Sequence, residues 1–433
     1  MHGCSVVVYR YTVFYAWDVY RYTKHSADDS LGTAFGRDAP TRLSYAVVAG
    51  YAFWLYAFGP ALALLRAELH FSYAVLGVYS AVWAAGAAVA GMTFAALARR
   101  LSRAALLWYP AGVATAGAGL FAVSRSIAFT MLGAALLGFA GTVLLTCTQA
   151  ILSELHGERR DRALTEANVG AAACAVLAPL LLGLLQDTPV GWRAAVSLPA
   201  VLFVGLYLRY RHLPLDRASI ARPADGRARL PLSCWLLATM VAAGIAVEFC
   251  VVYFGAELLT TDGLRTGQAA TAISSFYLGI LGGRVGAAWL TRRAGRTVRL
   301  LYASLAVTIA GFLLFWLAAV PVLAITGLFV CGLGVANLYP LSLALALAAA
   351  RGNEDTANAR IQLLGGVLVI VAPYLLGSLA DRLGLHAAFT IEPVLIGACA
   401  LLLVAGLRVR QPALAARATA PEACGTTSTP KNC

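Results

Sequence analysis

An acidic residue inside an apolar segment is the clearest chemical signal in this sequence. Glu248 lies in the stretch GIAVEFCVVYFG. An ionised carboxylate at the centre of a membrane helix costs about 2.5–3.5 kcal/mol on insertion scales, so an acid at that depth is by default functional. Glu248 could carry a proton or accept a hydrogen bond from a solute. The alternative is a structural carboxyl that pairs with another helix.

Two further side chains could form a site together with Glu248. Trp54, in YAFWLYAFGP, could stack on a ring or a sugar face, or could only pack against its neighbours. Arg284, in LGILGGRVGAAW, could bind an anionic group or an acid, or could extend its guanidinium to the membrane surface. An aromatic, an acid and a base would suit the binding of a small organic solute.

Uncharged polar residues also interrupt the apolar segments. Asn337 and Tyr339 occur close together in GLGVANLYPLSLALAL. Each could hydrogen-bond a solute, or could join two helices, since interhelical hydrogen bonds in membranes average only about 0.6 kcal/mol. The same two readings apply to Tyr277, Thr146, Thr148 and Gln149.

Several other kinds of chemistry find no support in the sequence. It contains no GxxxxGK[ST], HExxH or GxSxG pattern, so ATP hydrolysis, metalloprotease and esterase chemistry are not indicated. Nine cysteines without a CxxC pair, and six dispersed histidines, predict no metal site and no cofactor. The net charge of +13 is spread over short loops, so no nucleic-acid partner is expected. We predict that the protein is not an enzyme.

The elements that must position these residues are long apolar helices. The chain of 433 residues is 60% hydrophobic and 12% charged, against about 25% charged residues in soluble domains. Its apolar residues come in blocks of about twenty, the length of a helix that spans a bilayer. We predict an all-α membrane protein with twelve transmembrane helices in two six-helix bundles, at 43–65, 73–97, 105–123, 127–150, 167–186, 194–208, 232–256, 268–290, 299–318, 321–349, 362–380 and 387–407.

The distribution of basic residues predicts the orientation. With both termini in the cytoplasm, the inner segments hold 27 Lys and Arg residues and the outer segments hold 5. Such a bias is the positive-inside pattern. The excess of Arg over Lys is typical of a GC-rich bacterial genome, so we expect a bacterial inner-membrane protein that functions as a monomer.

The polar segments divide the chain into domains. We predict a cytoplasmic N-terminal segment at 1–42, which is either disordered or interfacial or the product of a mis-assigned start. An N-terminal bundle at 43–208 and a C-terminal bundle at 232–407 are joined by a cytoplasmic linker at 209–231. Residues 408–433 are predicted to be a disordered cytoplasmic tail.

The two predicted bundles repeat one another at an offset near 194 residues. Ala-Pro-Leu-Leu-Leu-Gly ends at Gly183 in the fifth span, and Ala-Pro-Tyr-Leu-Leu-Gly ends at Gly377 in the eleventh. At the same offset Trp54 corresponds to Glu248. The matched Pro179 and Pro373 each remove a helix hydrogen bond, so both helices could bend as gates or hold a fixed kink.

Basic loops after the second and eighth spans also match, at an offset of 193. The first reads AALARRLSRAALL and the second AWLTRRAGRTVRLL. The coinciding arginines are Arg99 with Arg292, Arg100 with Arg293, and Arg103 with Arg296.

These motifs resemble the major facilitator superfamily over roughly residues 43–407. The basic loops resemble that family's G-x-L-a-D-R-x-G-R motif, although Arg99 and Arg292 stand where the family has Asp. The Ala-Pro-x-x-x-Gly helices are similar to its fifth-span Gly-Pro motif. Near Ala134 many proton-coupled drug exporters of the family carry an Arg, which this chain lacks. The resemblance implies two bundles with the solute site between them, near the middle of the membrane.

The sequence therefore predicts a secondary transporter of a small organic solute by alternating access, with the proton as the candidate coupling ion and the lipid bilayer as its environment. Import and export both remain open. The alternatives are a multidrug or toxin efflux transporter, a lipid flippase, or a membrane sensor that does not transport. A membrane enzyme would need clustered acids and histidines, whereas Glu248 is essentially the one acid expected at membrane depth.

Overall fold

Long helices joined by short loops form nearly all of the described structure. The computed structural model describes residues 36–215, 230–290, 297–350 and 353–418. Its twelve long helices, numbered in chain order, are α1 Ala39–Leu69, α2 Tyr73–Arg100, α3 Arg103–Val123, α4 Ile127–His156, α5 Arg160–Gln186, α6 Gly191–Tyr210, α7 Leu232–Thr261, α8 Thr266–Leu290, α9 Thr297–Trp316, α10 Pro321–Val335 continued by Leu338–Ala348, α11 Glu354–Leu383 and α12 Ile391–Ala418.

The length and apolar character of these helices fit a membrane protein. Within the described ranges, eleven helices are long and apolar enough to cross a membrane. The remaining long helix, α8, packs against α5, α7 and α10. The predicted all-α class is confirmed, and twelve packed helices agree with the predicted twelve spans.

The start of the first helix and the end of the last helix differ from the predicted boundaries. The helix α1 begins at Ala39, because the Asp38 carboxylate accepts a hydrogen bond from the Thr41 amide at 2.9 Å and caps the first turn. The helix α12 continues to Ala418, so the prediction of disorder for 408–418 was wrong. That segment contains four alanines and three arginines, which favour helix. Residues 1–35, 216–229 and 419–433 lie outside the described residues.

The tenth predicted span is not one continuous helix. It breaks at Ala336 and Asn337, and the helix resumes at Leu338. Pro340 has no N–H to donate to the carbonyl of Ala336, which accounts for the interruption.

The helices pack as two groups, α1–α6 and α7–α12, that we call the N-half and the C-half. Within the N-half α4 packs on α1, α2, α3 and α5, and within the C-half α10 packs on α7, α8, α9 and α11. The contacts between the halves are made by α2 with α11, α5 with α8, and α1 with both α7 and α8. Two pairs of helices therefore flank a central pair formed by α1 and α7.

Glycines allow the closest approach of the two halves. We call the face on which α1 begins and α12 ends the termini face, and the other the opposite face. Near the opposite face, a Cβ atom on Gly183 of α5 would overlap the carbonyl oxygen of Gly267 in α8. A Cβ atom on Gly377 of α11 would likewise overlap the carbonyl oxygen of Tyr73 in α2. The two contacts are related by the sequence offset of 194 residues. Gly183 corresponds to Gly377, and Tyr73 corresponds to Gly267.

Polar contacts reinforce this junction. The Arg66 guanidinium of α1 forms an ion pair with Glu257 of α7 at 2.9 Å and lies 3.7 Å from the centre of the Tyr73 ring. The Asp381 carboxylate at the end of α11 accepts hydrogen bonds from the Tyr73 and Ala74 amides at 2.8 and 2.9 Å. We call these contacts, together with the two glycine contacts, the opposite-face seal.

The arginines of the predicted loop motif do not all lie in a loop. Arg99 and Arg100 are exposed in the last turn of α2, as a loop motif would require. Arg103, in contrast, is only 2% exposed and forms an ion pair with Glu154 of α4. Its placement in a solvated loop was wrong, because the first turn of α3 turns this side chain inward. Arg292, Arg293 and Arg296 lie outside the described residues.

We predict that Gly377→Ala disrupts the opposite-face seal. The new methyl group would overlap backbone atoms of α2, which cannot rotate away as a side chain can, so the variant should lose about 1–3 kcal/mol of stability. The unfolding midpoint of the detergent-purified protein measures this loss.

Gly366→Ala, on the same helix, is the matched control because no atom lies within 4 Å of a Cβ there. Equal midpoints for the two variants would contradict the close packing of α2 on α11.

Candidate functional site

Four side chains from three helices meet between the two halves. Tyr56 of α1 and Tyr277 of α8 stack edge to face with ring centroids 5.1 Å apart. Glu248 of α7 interacts electrostatically with Arg284 of α8 and with both tyrosines. We call these four residues the central cluster.

Helix periodicity brings these residues together. Tyr277 and Arg284 are seven residues apart, which is about two helical turns, so they project from the same face of α8. Tyr56 comes from α1, which packs directly against α8 and α7. Residues remote in the sequence therefore converge because α1, α7 and α8 cross at the boundary of the two halves.

The central cluster is not completely enclosed by its neighbours. Tyr56, Glu248 and Arg284 are partly exposed, whereas Val247 and Cys250, on either side of Glu248 in α7, are fully buried. Polar groups of a membrane-spanning bundle that remain accessible at its centre characterise a solute pathway.

The two charged residues of the central cluster do not form a salt bridge with each other. Among the described residues, Glu248 and Arg284 form no direct ion pair, and the Arg284 Nε is buried without a hydrogen-bond partner. Within the same ranges we find no hydrogen bond to the hydroxyl of Tyr56 or of Tyr277. A carboxyl, a guanidinium and two hydroxyl groups are therefore available to a bound molecule.

Asn337 lies next to the central cluster. The break in α10 places its side-chain amide against α8, where Nδ2 donates to the Gly283 carbonyl at 3.3 Å. Its Oδ1 is buried without a partner. Because Gly283 directly precedes Arg284, Asn337 supports the segment of α8 that carries the arginine.

Two predicted site residues lie inside one half rather than at the boundary. Trp54 is 2% exposed, donates its indole N–H to the Val196 carbonyl at 2.8 Å and stacks on Phe203 with ring centroids 5.2 Å apart. These contacts with α6 favour the packing interpretation. Tyr339 is 3% exposed and accepts a hydrogen bond from Gln362 at 3.1 Å, which links α10 to α11.

The remaining polar candidates lie on α4. The Gln149 side chain is partly exposed. The hydroxyls of Thr146 and Thr148 donate to carbonyls of their own helix, at Thr142 and Leu144. These residues are separate from the central cluster.

The four predicted gating residues all lie at the boundary of the halves. Gly183 and Gly377 form the two close contacts of the opposite-face seal. Pro179 and Pro373 are buried one turn earlier in α5 and α11. The Ser274 hydroxyl of α8 donates to the Val176 carbonyl at 2.8 Å, just before Pro179, which adds a bond between the halves.

Two buried acids escaped the sequence analysis, so the expectation of one acid at membrane depth was wrong. Glu257 is 4% exposed and lies just beyond the predicted end of the seventh span, in the longer α7. Glu392 is 0% exposed, and its carboxyl lies beside the Cys250 thiol. It lies inside the twelfth predicted span, in TIEPVLIGACA, so its position was visible in the sequence.

Glu392 sits among sulfur atoms. It interacts with the buried thiols of Cys250, Cys331 and Cys399, from α7, α10 and α12. Within the described ranges, no group of three or more His, Cys, Asp and Glu side chains is arranged to hold a metal ion. Glu392 is therefore an enclosed carboxyl of the C-half, whereas Glu248 is partly exposed.

Solved structures of transporters share this fold. The peptide transporter POT in complex with sulfate superimposes with a TM-score of 0.68 at 15% identity, covering 89% of this chain and 98% of that chain. The nucleoside transporter NupG gives 0.66 at 14% identity, with 86% and 98% covered. A bacterial homologue of the human lysosomal transporter Spinster, in its inward-facing and unoccupied conformation, gives 0.63 at 14% identity, with 89% and 96% covered.

The sequence comparisons establish the family. No curated protein matches the sequence. The sequence profile of the Major Facilitator Superfamily matches residues 44–355, well over half of the chain. The matched segment contains the N-half and the whole central cluster. The protein belongs to the Major Facilitator Superfamily and is an integral membrane secondary transporter rather than an enzyme.

Proposed function

We propose that this protein is a proton-coupled transporter of a small polar organic solute that carries an anionic group, and that the solute binds at the central cluster. The observation that carries this proposal is the presence of an acid and a base, Glu248 and Arg284, that lie close together at the boundary of the halves without pairing directly.

Arg284 provides the recognition of the anionic group. The Nε of its guanidinium is buried without a hydrogen-bond partner, which is costly for a charged group. A carboxylate or phosphate of the solute would supply the missing partner, because arginine binds such groups through paired N–H donors. The hydroxyls of Tyr56 and Tyr277 would bind other polar groups of the solute.

Glu248 provides the proton coupling. Its side chain is partly exposed at the boundary of the halves, where water would deliver a proton to it. The acid and the solute share one arginine neighbour. Protonation of Glu248 would therefore leave Arg284 free for the anionic solute, whereas ionised Glu248 would compete for it. Two ligands that compete for one cation in this way are thermodynamically linked.

Alternating access would proceed through the opposite-face seal. The contacts between α2 and α11 and between α5 and α8 close that face. The other state requires them to separate. Pro179 and Pro373 each remove a hydrogen bond inside α5 and α11, so these helices would bend there. Gly183 and Gly377 would act as gating residues because they let the backbones meet.

The site is complete within one chain, which favours a functional monomer. The excess of basic residues on the termini-face loops supports termini in the cytoplasm of a bacterial inner membrane. The opposite-face seal would then close the outer side. The charges and tyrosine hydroxyls of the central cluster favour a polar solute over an apolar drug or a lipid.

We predict that an anionic solute stabilises the protein through Arg284. The detergent-purified protein is heated with amino acids, dipeptides, carboxylates, nucleosides and sugars at pH 5.5 and 7.5. A ligand at 100 times its Kd adds about 2.7 kcal/mol to the native state. Arg284→Gln should remove the stabilisation by the anionic compound. Stabilisation by neutral compounds alone, equal in both proteins, would contradict the anionic solute.

We predict that Glu248→Gln abolishes proton-driven accumulation of that compound while exchange of the compound across the membrane persists. The amide keeps the shape of the carboxyl but does not bind and release a proton. Transport is measured in proteoliposomes with and without an inward proton gradient.

Glu392→Gln is the matched control, because it makes the same chemical change in an enclosed carboxyl that is not part of the central cluster. It should accumulate the compound as the wild type does. Loss of accumulation in Glu392→Gln, with normal accumulation in Glu248→Gln, would transfer the proton-carrying role to Glu392.

We predict that Arg66→Gln loosens the opposite-face seal. The Glu257 side chain is only 5% exposed and would lose its positive partner. Removing one partner of a buried ion pair costs about 3–5 kcal/mol of stability. Hydrogen–deuterium exchange at the first turns of α2 and α8 should rise.

Arg193→Gln is the matched control. Its ion pair with Glu68, at 2.5 Å, lies near the same face but joins α6 to α1 within the N-half. An equal rise of exchange at α8 in both variants would show that the Arg66–Glu257 pair has no special role between the halves.

A further inference from the structure

A groove on the outer surface of the N-half lies apart from the central cluster. It has a volume of about 550 Å³ and runs between α3 and α6. Its lining on α3 extends from Ala104 to Thr115, and its lining on α6 from Phe203 to Arg211.

The length of the groove corresponds to one leaflet of a membrane. Eleven residues separate Ala104 from Thr115, which is about 16 Å at 1.5 Å per residue. Half of the hydrocarbon core of a bilayer is about 15 Å. The groove begins at the termini face, where α3 starts and α6 ends, and it ends near the middle of the membrane.

The walls of the groove are apolar and aromatic. Phe203, 3% exposed, forms its floor, and Trp108 packs edge to face on Tyr207 with ring centroids 5.3 Å apart. Tyr109 and Tyr207 are 67% and 45% exposed. Exposed tyrosines and tryptophans near the end of a span are typical of the boundary between lipid tails and headgroups.

One charged residue lines the groove, and it lies at the end nearest the termini face. Arg211 directly follows the last residue of α6 and is exposed. An arginine at this depth extends its guanidinium to the headgroup layer, where it attracts anionic phosphates.

We propose that this groove is a binding site for an anionic phospholipid. One acyl chain lies between α3 and α6, and the headgroup phosphate pairs with Arg211. The charge, the aromatic rim and the length of one leaflet each match a different part of that molecule.

The floor of the groove is already rigid without a ligand. Phe203 stacks on Trp54, and the Trp54 indole is fixed by its hydrogen bond to Val196. A preformed surface loses little conformational freedom on binding, so a flexible acyl chain can be retained there. Trp54 thus supports the lipid groove and not the solute site.

The experiment measures retention of lipids by the full chain in detergent. Native mass spectrometry counts bound phosphatidylglycerol and bound phosphatidylcholine with the same acyl chains. The wild type should retain one phosphatidylglycerol in preference to phosphatidylcholine. Arg211→Gln should weaken this preference about fivefold, which corresponds to the roughly 1 kcal/mol that one arginine contributes beside anionic lipid.

Two glycine variants test the position of the acyl chain. Gly112 lines the groove and Gly119 lies two turns further along α3; no atom is within 4 Å of a Cβ at either. Gly112→Leu should fill the groove and abolish retention, whereas Gly119→Leu should retain the lipid.

Three results would overturn the proposal. They are equal retention of the two lipids by the wild type, normal retention by Gly112→Leu, and thermal stabilisation by glycerol phosphate alone that matches stabilisation by the lipid. The last would indicate a phosphate site without a place for the acyl chain. None of these results depends on the solute or on the coupling ion.

Discussion

The backbone must satisfy its own hydrogen bonds in hydrocarbon, and the rest of this structure depends on that constraint. It forces the chain into helices, whose side chains normally hold neighbouring backbones about 8–10 Å apart. Two helices approach more closely only where side chains are missing. The contacts of Gly183 with α8 and of Gly377 with α2 are such places. They fix how the halves join at one face, and thereby how α1, α7 and α8 meet at the central cluster.

Much of this arrangement could be predicted from the sequence. The blocks of apolar residues predicted the helices, and the cost of a membrane-embedded charge singled out Glu248 and Arg284. The matched Ala-Pro-x-x-x-Gly segments placed Gly183 and Gly377 in equivalent helices, and the structure shows the same offset in their contacts. The prediction of the helices is confirmed, because the length and apolar character of each block are properties of the chain itself.

The rotation of each helix about its axis could not be predicted in the same way. Every helix here is apolar on all sides, so no amphipathic pattern shows which face is inward. Trp54 was therefore assigned to a solute site although it faces α6, and Arg103 was assigned to a loop although it faces Glu154. Glu392 shows a different limit, because its enclosure by three helices follows from tertiary packing. Spacing within one helix does not determine its partners.

The two halves repeat the same arrangement of helices but carry different side chains at the central cluster. Tyr56 of the N-half contributes one side chain of the central cluster, whereas Glu248, Tyr277 and Arg284 of the C-half contribute the other three. Their counterparts in the N-half, 194 residues earlier, are Trp54, Trp83 and Ala90. After an ancestral duplication, one copy could thus diversify its ligand preferences while the other preserved the scaffold. New specificities can arise by drift within α7 and α8 without altering the glycines on which both copies rely, which makes the architecture evolvable.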